Sequence, residues 1–317
     1  MNSKHISLKQ GREKAILNHH PWIFSGAIQS KPAGIQSGET VEVLSANGEW
    51  LACGAYSPVS KIRVRIWTWD QNEAVDSTFF KQRIHSAIEL RNRIISTKEG
   101  NARRLVFGES DGIPGLVVDQ YGEVLVLQFL SAGAEYWRDT IVNCLIEMLQ
   151  PQTIYERSDV EVRELEGLTP QEGLLFGENS GSFIIEENGL KFLVDPANGQ
   201  KTGFYLDQRH NRQIVRDRMI FGAELLNCFC YTGGFSIYAM AGGAAHVTSI
   251  DSSADAIELA RKNLALNHFG EEAATWIIGD VFQELRTFRD SRRMFDVIIL
   301  DPPKFAPTAA QANRAAR

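Results

Sequence analysis

Short apolar runs that alternate with polar residues and turn signals occupy the first 70 residues. ETVEVLSANGEWLACGAYS holds Asn47-Gly48 between two alternating runs, which is a strong hairpin signal, and KIRVRIWTW alternates basic with apolar residues. Several short strands in so small a span predict a compact β-barrel-like domain over residues 1–73.

Apolar positions at helical spacing open the next region. STFFKQRIHSAIELRNRIIST, residues 77–97, predicts an amphipathic helix. Two strands that meet at Tyr121-Gly122, a helix, a further strand and the strand pair GSFIIEENGLKFLVD follow it. This order predicts a central α+β module over residues 74–197.

Strands and helices alternate from about Leu225, within a third region of residues 198–317. The strands are ELLNCFC, HVTSID, ATWIIGD and FDVIILD, and the last three lead into Asp251, Asp280 and Asp301. This alternation predicts a parallel sheet with helices on both faces, and in such sheets ligands bind at the carboxyl ends of the strands. The predicted fold class is therefore multi-domain α/β.

Composition narrows the class of protein. The 317 residues are 44% hydrophobic, no apolar run is long enough to span a bilayer, and MNSKHISLKQGREK is too polar for a signal peptide. No pair of metal ligands is predicted, because the cysteines are scattered and the adjacent His19 and His20 are not spaced as ligands. We expect these two histidines to contact RNA or to be ordinary surface residues. We expect a reduced, cytoplasmic protein without a membrane partner, with four free cysteines: Cys53, Cys144, Cys228 and Cys230.

The net charge of -6 argues against a nucleic-acid partner until it is divided along the chain. Residues 1–70 carry 8 Lys and Arg against 5 Asp and Glu, residues 71–197 carry 11 against 21, and residues 198–317 carry 14 against 13. The acid is concentrated in the middle, so both ends remain compatible with phosphate.

The strand ends of the third region predict an adenosine ligand. Gly233-Gly234 allows close approach of a ligand to the backbone, Asp251 suits ribose hydroxyls, and Asp280-Val281 suits an adenine edge. Taken singly, each acid is more often a turn or cap residue. Because neither G-x-G-x-x-G nor a P-loop is present, the predicted cofactor is S-adenosylmethionine.

Several segments together resemble one family. LNCFCYTGGFS, SIDSS, GDVF, DPPKF and GQKTGFYLDQRHNR, with KQGREKAILNHHPWIFSGAI and FGESDGIPGLVVDQYG upstream, resemble the bacterial large-subunit ribosomal RNA cytosine methyltransferases that make 5-methylcytosine. DPPKF alone is less specific, because related guanine methyltransferases carry DPP-x-F. The resemblance covers essentially the whole chain and implies an RNA-binding PUA domain, a central α+β domain and a Rossmann-like class I methyltransferase sheet.

The resemblance also implies roles for particular residues. Asp301, whose direction Pro302-Pro303 would fix, would contact the target base. Lys304 and Phe305 would line the pocket of that base; equally, Lys304 would be solvated and Phe305 would be a core residue. The segment before the sheet would cap the cofactor site or be an ordinary linker; its candidates are Lys201, Thr202, Phe204, Tyr205, Asp207 and Arg209. The expected cofactor contacts are Asn227, Phe229, Tyr231, Gly233, Gly234, Ser236, Asp251, Ser252, Asp280, Val281 and Asp301.

The catalytic cysteine of the resembled family follows the next strand, beyond Arg317, so it is expected to be absent here. Cys228 and Cys230 are expected to be small packing residues. With four strands of an expected seven, the sheet is predicted to be incomplete and the chain to be an inactive or partial form. Completion of the sheet by a second chain, as in a homodimer, is the alternative.

Three functions compete at this point. The first is methylation of a cytosine at carbon 5 in large-subunit ribosomal RNA. A guanine N-methyltransferase of ribosomal RNA would use the same cofactor site without a cysteine. A non-catalytic RNA-binding remnant would bind RNA and transfer no methyl group.

Overall fold

The computed structural model describes residues 4–31, 34–95, 99–178, 181–196, 199 and 202–303. The chain divides into two compact units. The first comprises Met1–Thr97, Asn101–Gly181 and Asp195–Phe204, and the second comprises Lys98–Gly100, Ser182–Val194 and Tyr205–Arg317.

A six-stranded sheet forms the amino-terminal part of the first unit, in the order β2-β6-β5-β4-β1-β3. The predicted hairpin at Asn47-Gly48 is confirmed, because the strands on either side of it pair antiparallel. A core of alternating apolar residues, among them Ile6, Val43 and Val64, fills its interior. The elements are β1 His5–Leu8, α1 Lys14–Leu17, β2 Trp22–Phe24, β3 Ile28–Ser30, β4 Thr40–Leu44, β5 Trp50–Tyr56 and β6 Ile62–Thr68.

The central module contributes a five-stranded sheet in the order β11-β10-β9-β8-β7. The long predicted helix is confirmed as α2, and the Asp76 carboxylate caps it by accepting from the N–H groups of Thr78 and Phe79. The elements are α2 Ser77–Ile94, β7 Ala102–Phe107, β8 Leu116–Tyr121, β9 Val124–Phe129, α3 Ala132–Tyr136, α4 Arg138–Leu149, β10 Thr153–Ser158, α5 Val162–Leu165 and β11 Gln171–Gly177.

Close packing joins the amino-terminal sheet to the central module within the first unit. A Cβ on Gly133 would lie 2.3 Å from the Cβ of Ala55 and 2.7 Å from the Trp67 ring, so only glycine fits there. Arg65 in β6 forms ion pairs at 3.0 Å with both Glu109 and Glu166 of the central module.

The second unit is built on a four-stranded sheet, in the order β16-β15-β14-β17, whose strand pairs are all parallel. The predicted alternation of strands and helices is confirmed. Its elements are β12 Phe183–Glu187, β13 Leu190–Val194, α6 Arg209–Asp217, β14 Glu224–Cys228, α7 Gly234–Ala241, β15 His246–Asp251, α8 Ala254–Leu266, β16 Ala274–Ile278, α9 Val281–Asp290 and β17 Val297–Leu300.

The hairpin β12–β13 belongs to this second unit, although the sequence groups it with the central module. The backbone N–H of Leu193 donates to Asn263 Oδ1 of α8 at 2.7 Å, and the Phe192 ring stacks on Tyr238 of α7 at 6.1 Å. These contacts over long sequence separations fix the hairpin, and a local pattern does not reveal them.

The predicted fold class is confirmed, with a β-rich amino-terminal domain, a central α+β module and a parallel α/β sheet. Within the described residues, none of the helices combines the length and the apolar character needed to cross a bilayer.

Candidate active site

The carboxyl end of β15 carries the half-buried Asp251. Its Oδ2 accepts from the N–H of Tyr231 at 2.8 Å, and its Oδ1 accepts from the N–H of Ser253 at 3.0 Å. Ser253 also caps α8, since its Oγ accepts from Ala256 N at 3.2 Å, and Ser252 between these residues is exposed. A carboxylate offers about four acceptor positions, so Asp251 retains acceptors for two ribose hydroxyls.

The loop between β14 and α7 contains alternate residues at positive φ. Phe229, Tyr231 and Gly233 have φ values of 58°, 47° and 76°, a region that bulky side chains rarely adopt. Backbone bonds from Cys230 N to Ile250 O at 3.0 Å and from Gly233 N to Cys230 O at 2.9 Å hold the loop. Unusual backbone of this kind concentrates at ligand-binding turns.

Neighbouring side chains restrict the space beside Gly233 and beside Gly234, the first residue of α7. A Cβ on Gly233 would lie 3.0 Å from the Cβ of Ala260 and 3.1 Å from the Trp276 ring, and a Cβ on Gly234 would lie 3.2 Å from Cδ of Arg212. The sequence attributes Gly-Gly to ligand approach, and the structure adds a requirement for close packing that the sequence does not reveal.

Asn227 and Ser236 lie beneath the loop, where they are 1% and 0% exposed. Asn227 Nδ2 donates to Ser236 Oγ at 2.8 Å, and Ser236 Oγ lies 2.8 Å from Ser249 Oγ. This chain of hydrogen bonds joins β14, α7 and β15. Both predicted residues therefore support the loop from below.

Asp280 and Val281 have structural roles of their own. Asp280 Oδ1 accepts from the N–H of Gln283 at 2.9 Å and caps α9. Val281 is 3% exposed and packs in the core with Leu226 and Ile250. Their contact with an adenine stays a prediction.

Asp301 directly follows β17 and is exposed, as are Pro302 and Pro303. Its Oδ2 accepts from Gln208 Nε2 at 3.1 Å, and Gln208 Oε1 accepts from Asn211 Nδ2 at 2.6 Å. Because Asn211 donates to the amide oxygen, the amide nitrogen of Gln208 faces Asp301. One carboxylate oxygen is thereby oriented, and Oδ1 can face a substrate.

Tyr205 links the two acidic strand ends. Its ring meets Tyr231 edge-on, with centroids 5.4 Å apart. Burial raises the pKa of Tyr205, and the carboxylates of Asp301, Asp207 and Asp251 raise it further. Asp251 and Asp301, which end the two strands beside β14, therefore both influence this tyrosine.

Glu187 in β12 supports this arrangement and was missed by the sequence reasoning. The Glu187 side chain is fully buried. Its Oε1 accepts hydrogen bonds from Arg212 Nε at 2.8 Å and from the Tyr238 hydroxyl at 2.9 Å. Its Oε2 accepts from Arg212 Nη2 at 2.8 Å and from Arg209 Nε at 3.1 Å. Arg212 Nη1 also donates to Tyr205 O at 2.9 Å. The only local signal is an acid within the apolar strand FIIEE.

Two of the predicted cap residues lie in the first unit. Thr202 Oγ1 donates to Asp119 Oδ2 at 2.7 Å, and the Tyr121 hydroxyl lies 3.1 Å from Thr202 Oγ1 and donates to Phe204 O at 3.3 Å. The cap candidates that belong to the second unit are Tyr205, Asp207 and Arg209. The site candidates outside the described residues are Lys201, Lys304 and Phe305.

All four cysteines are free, and burial raises the pKa of each thiol. The pKa is raised to about 12 for Cys53 and to about 11 for Cys228. Burial is also the main cause of the raised pKa of Cys144 and of Cys230. None of the four has the low pKa of a nucleophilic thiol.

Across the described part of the chain, three or more His, Cys, Asp or Glu side chains nowhere gather in a group that could hold a metal ion.

Family comparisons define the class. Residues 6–69 match a PUA-like domain, and residues 170–313 match an S-adenosylmethionine-dependent methyltransferase. The chain is thus an S-adenosylmethionine-dependent methyltransferase with an amino-terminal PUA-like domain.

Curated relatives narrow the class further. The ribosomal RNA large subunit methyltransferase I of Shewanella amazonensis is 49% identical over 98% of this chain and 79% of its own length. The protein of that name from Escherichia coli is 45% identical over 99% of this chain and 80% of its own length. The chain belongs to the ribosomal RNA large subunit methyltransferase I family.

Solved structures share the fold. A protein from Streptococcus mutans, described as a SAM-dependent methyltransferase, superposes with a TM-score of 0.80 at 24% identity, over 94% of this chain and 77% of its own. A methyltransferase solved in complex with SAH superposes with a TM-score of 0.83 at 24% identity, over 97% of this chain and 78% of its own.

Proposed function

We propose that the chain belongs to the machinery that methylates carbon 5 of a cytosine in large-subunit ribosomal RNA. Its relatives are named for a methyltransferase of that RNA subunit, and DPPKF and GQKTGFYLDQRHNR resemble the family that makes 5-methylcytosine. The observation that carries the proposal is that Asp251 and Asp301 follow the two parallel strands on either side of β14, at the same carboxyl edge of the sheet.

The residues at this edge fit S-adenosylmethionine. Asp251 retains acceptor positions for the ribose hydroxyls, and the exposed Ser252 lies beside it. The bound cofactor supplies a methyl group activated by a positively charged sulfonium. The carboxylates of Asp207, Asp251 and Asp301 favour such a cation.

Asp301 is assigned to the target base. With Oδ2 bonded to Gln208, Oδ1 is available to hydrogen-bond at nitrogen 3 of a cytosine and to stabilise the charge that develops there. Pro302 and Pro303 restrict the backbone that follows, which limits the directions in which the acid points. The PUA-like domain is assigned to RNA binding.

The pKa values of the four cysteine thiols help to decide which base is methylated. Carbon 5 of cytosine becomes nucleophilic when a thiolate adds to carbon 6, and none of the four thiols has a lowered pKa. None of the four thiols is therefore assigned as that thiolate, and we expect these residues alone to form no 5-methylcytosine. The same observation favours a second candidate, N-methylation of a guanine, which needs no cysteine.

Nucleoside analysis tests the proposal. Unmodified large-subunit ribosomal RNA is incubated with labelled S-adenosylmethionine and either this chain or a version extended through the next strand, then digested and separated. We expect 5-methylcytidine from the extended version only, and its loss on Asp301→Asn.

Two results would redirect the proposal. Labelled methylguanosine would assign the chain to the guanine alternative. Formation of 5-methylcytidine by these residues alone, abolished by the combined Cys228→Ala and Cys230→Ala substitutions, would show that one of these cysteines is the nucleophile.

A further inference from the structure

Gln208, the residue immediately before α6, connects that helix to the acid that follows β17. Its Nε2 donates to Asp301 Oδ2 at 3.1 Å, and its Oε1 accepts from Nδ2 of Asn211, in the first turn of α6, at 2.6 Å. Two hydrogen bonds thus run in series from the helix to the carboxylate. We call the side chains of Asn211, Gln208 and Asp301 the amide relay.

The direction of the amide relay follows from the chemistry of its last member. An ionised carboxylate only accepts hydrogen bonds, so Gln208 must turn its amide nitrogen toward Asp301. The amide oxygen of Gln208 then faces Asn211, which must present its own nitrogen. Asn211 therefore favours the one amide orientation of Gln208 that can hold the acid.

The helix at the base of the relay is firmly held. Arg209 and Arg212 of α6 donate to the fully buried carboxylate of Glu187, at 3.1 Å and 2.8 Å. Asp301, by contrast, is exposed where β17 ends. Gln208 thus ties a carboxylate at the surface to a helix that is anchored in the interior of the second unit.

We propose that Gln208 and Asn211 are positioning residues for Asp301 during methyl transfer. The relay holds Oδ2, so Oδ1 is directed to the target base; a misplacement of about 1 Å at a reacting centre can cost about 100-fold in rate. Hydrogen bonds among exposed side chains compete with water and stabilise a fold little, so stability alone does not account for the relay. Because Asp301 is taken as the acid at the base, the proposal rests on the proposed function.

Steady-state methyl transfer tests the relay. A chain extended at its carboxyl end is assayed with labelled S-adenosylmethionine and unmodified large-subunit ribosomal RNA, and kcat and both KM values are measured. Gln208→Leu keeps the approximate size and removes the donor, so kcat should fall roughly 10- to 100-fold. Both KM values should change by less than about 2-fold, because the relay acts on the reacting geometry and not on binding.

A variant of the same shape separates positioning from packing. Gln208→Glu replaces the donor by a second carboxylate beside Asp301, and the two like charges repel. We expect kcat to fall at least as far as in Gln208→Leu. A residue that only filled space would tolerate this substitution.

Asn211 should act only through Gln208. Asn211→Leu should lower kcat less than Gln208→Leu does, because the freed amide still reaches Asp301 in one of its two orientations. Asn211→Asp should lower kcat as far as Gln208→Leu does, because a carboxylate at position 211 draws the Gln208 nitrogen away from Asp301. Neither Asn211 substitution should lower kcat further once Gln208→Leu is present.

Gln213→Leu is the matched control. Gln213 also lies in α6, is half-buried as Gln208 is, and donates from Nε2 to Asp217 Oδ1 at 2.6 Å. Its loss should leave kcat unchanged. Urea unfolding should give midpoints close to that of the unchanged chain for all of these variants, because the bonds that they remove lie at the surface.

Unchanged kcat in Gln208→Leu, or full activity in Gln208→Glu, would overturn the relay and leave methylation of the RNA intact. A further fall in kcat when Asn211→Asp is added to Gln208→Leu would also overturn it, because Asn211 would then act by another route. Absence of methyl transfer by the unchanged extended chain would overturn the proposed function and the relay together.

Discussion

Removal of the Glu187 carboxylate should destabilise the second unit more than removal of any exposed acid. Glu187 is 0% exposed and accepts hydrogen bonds from Arg209, Arg212 and Tyr238. Arg212 is itself only 3% exposed, so Glu187→Ala leaves a buried guanidinium without its carboxylate. Removing one partner of a buried ion pair costs about 3–5 kcal/mol.

Urea unfolding, followed by circular dichroism, measures this cost as a change in the free energy of unfolding. Glu187→Gln keeps the shape and one acceptor but removes the charge, so an intermediate loss is expected. Adding Arg212→Ala to Glu187→Ala should cost less than the sum of the two single losses, because the second change removes the unpaired buried charge.

Glu186→Ala is the matched control, since Glu186 is the preceding residue of the same strand and is exposed. It should lower the free energy of unfolding by about 1 kcal/mol or less. A loss below about 1 kcal/mol for Glu187→Ala, or additive losses in the double variant, would refute the view that this ion pair holds α6 in place.

Two further predictions concern the cofactor edge and the thiols. Asp251→Ala should weaken S-adenosylmethionine binding by about 1.5–3 kcal/mol, the usual loss for a hydrogen bond to a charged group. Calorimetry measures the affinity, and Glu258→Ala on the exposed surface of α8 is the control. Unchanged affinity in a folded Asp251→Ala variant would remove Asp251 from the site. The thiols of the native chain should react with a disulfide reagent at pH 8 about 100-fold more slowly than after denaturation. The reason is that a pKa raised to about 11 at Cys228 and to about 12 at Cys53 leaves little thiolate. A rapidly reacting thiol in the native chain would contradict the raised thiol pKa values.

Most of the strands and helices of the second unit could be predicted, because each is indicated by a pattern of neighbouring residues in the sequence. Each apolar run of the parallel sheet leads into an acid, so Asp251 and Asp301 could be placed at strand ends without any tertiary contact. That the two acids share one edge of the sheet also follows from the parallel alternation, because the carboxyl ends of such strands lie together; the position of Tyr205 beside them does not.

The supports of the site could not be predicted because they depend on partners distant in sequence. In the sequence, Glu187 looks like an ordinary hairpin residue. Its role depends on Arg212 of α6, which is 25 residues later in the chain and contacts it only in the folded structure. The sequence predicts that Gly233 belongs to a ligand-binding turn. The structure shows a second reason for glycine there, because Ala260 and Trp276 limit the space for a side chain. Asp280 shows the reverse case, since its capping bond to Gln283 is a local role that the sequence also allows.

Tritium release distinguishes methylation at carbon 5 of cytosine from methylation of any other atom. Ribosomal RNA carrying tritium at carbon 5 of its cytosines must lose that label to water when a methyl group replaces it. We expect at least one tritium to be released for each methyl group transferred by a chain extended at its carboxyl end, and no release by the present residues alone. Methyl transfer without tritium release would contradict methylation at carbon 5.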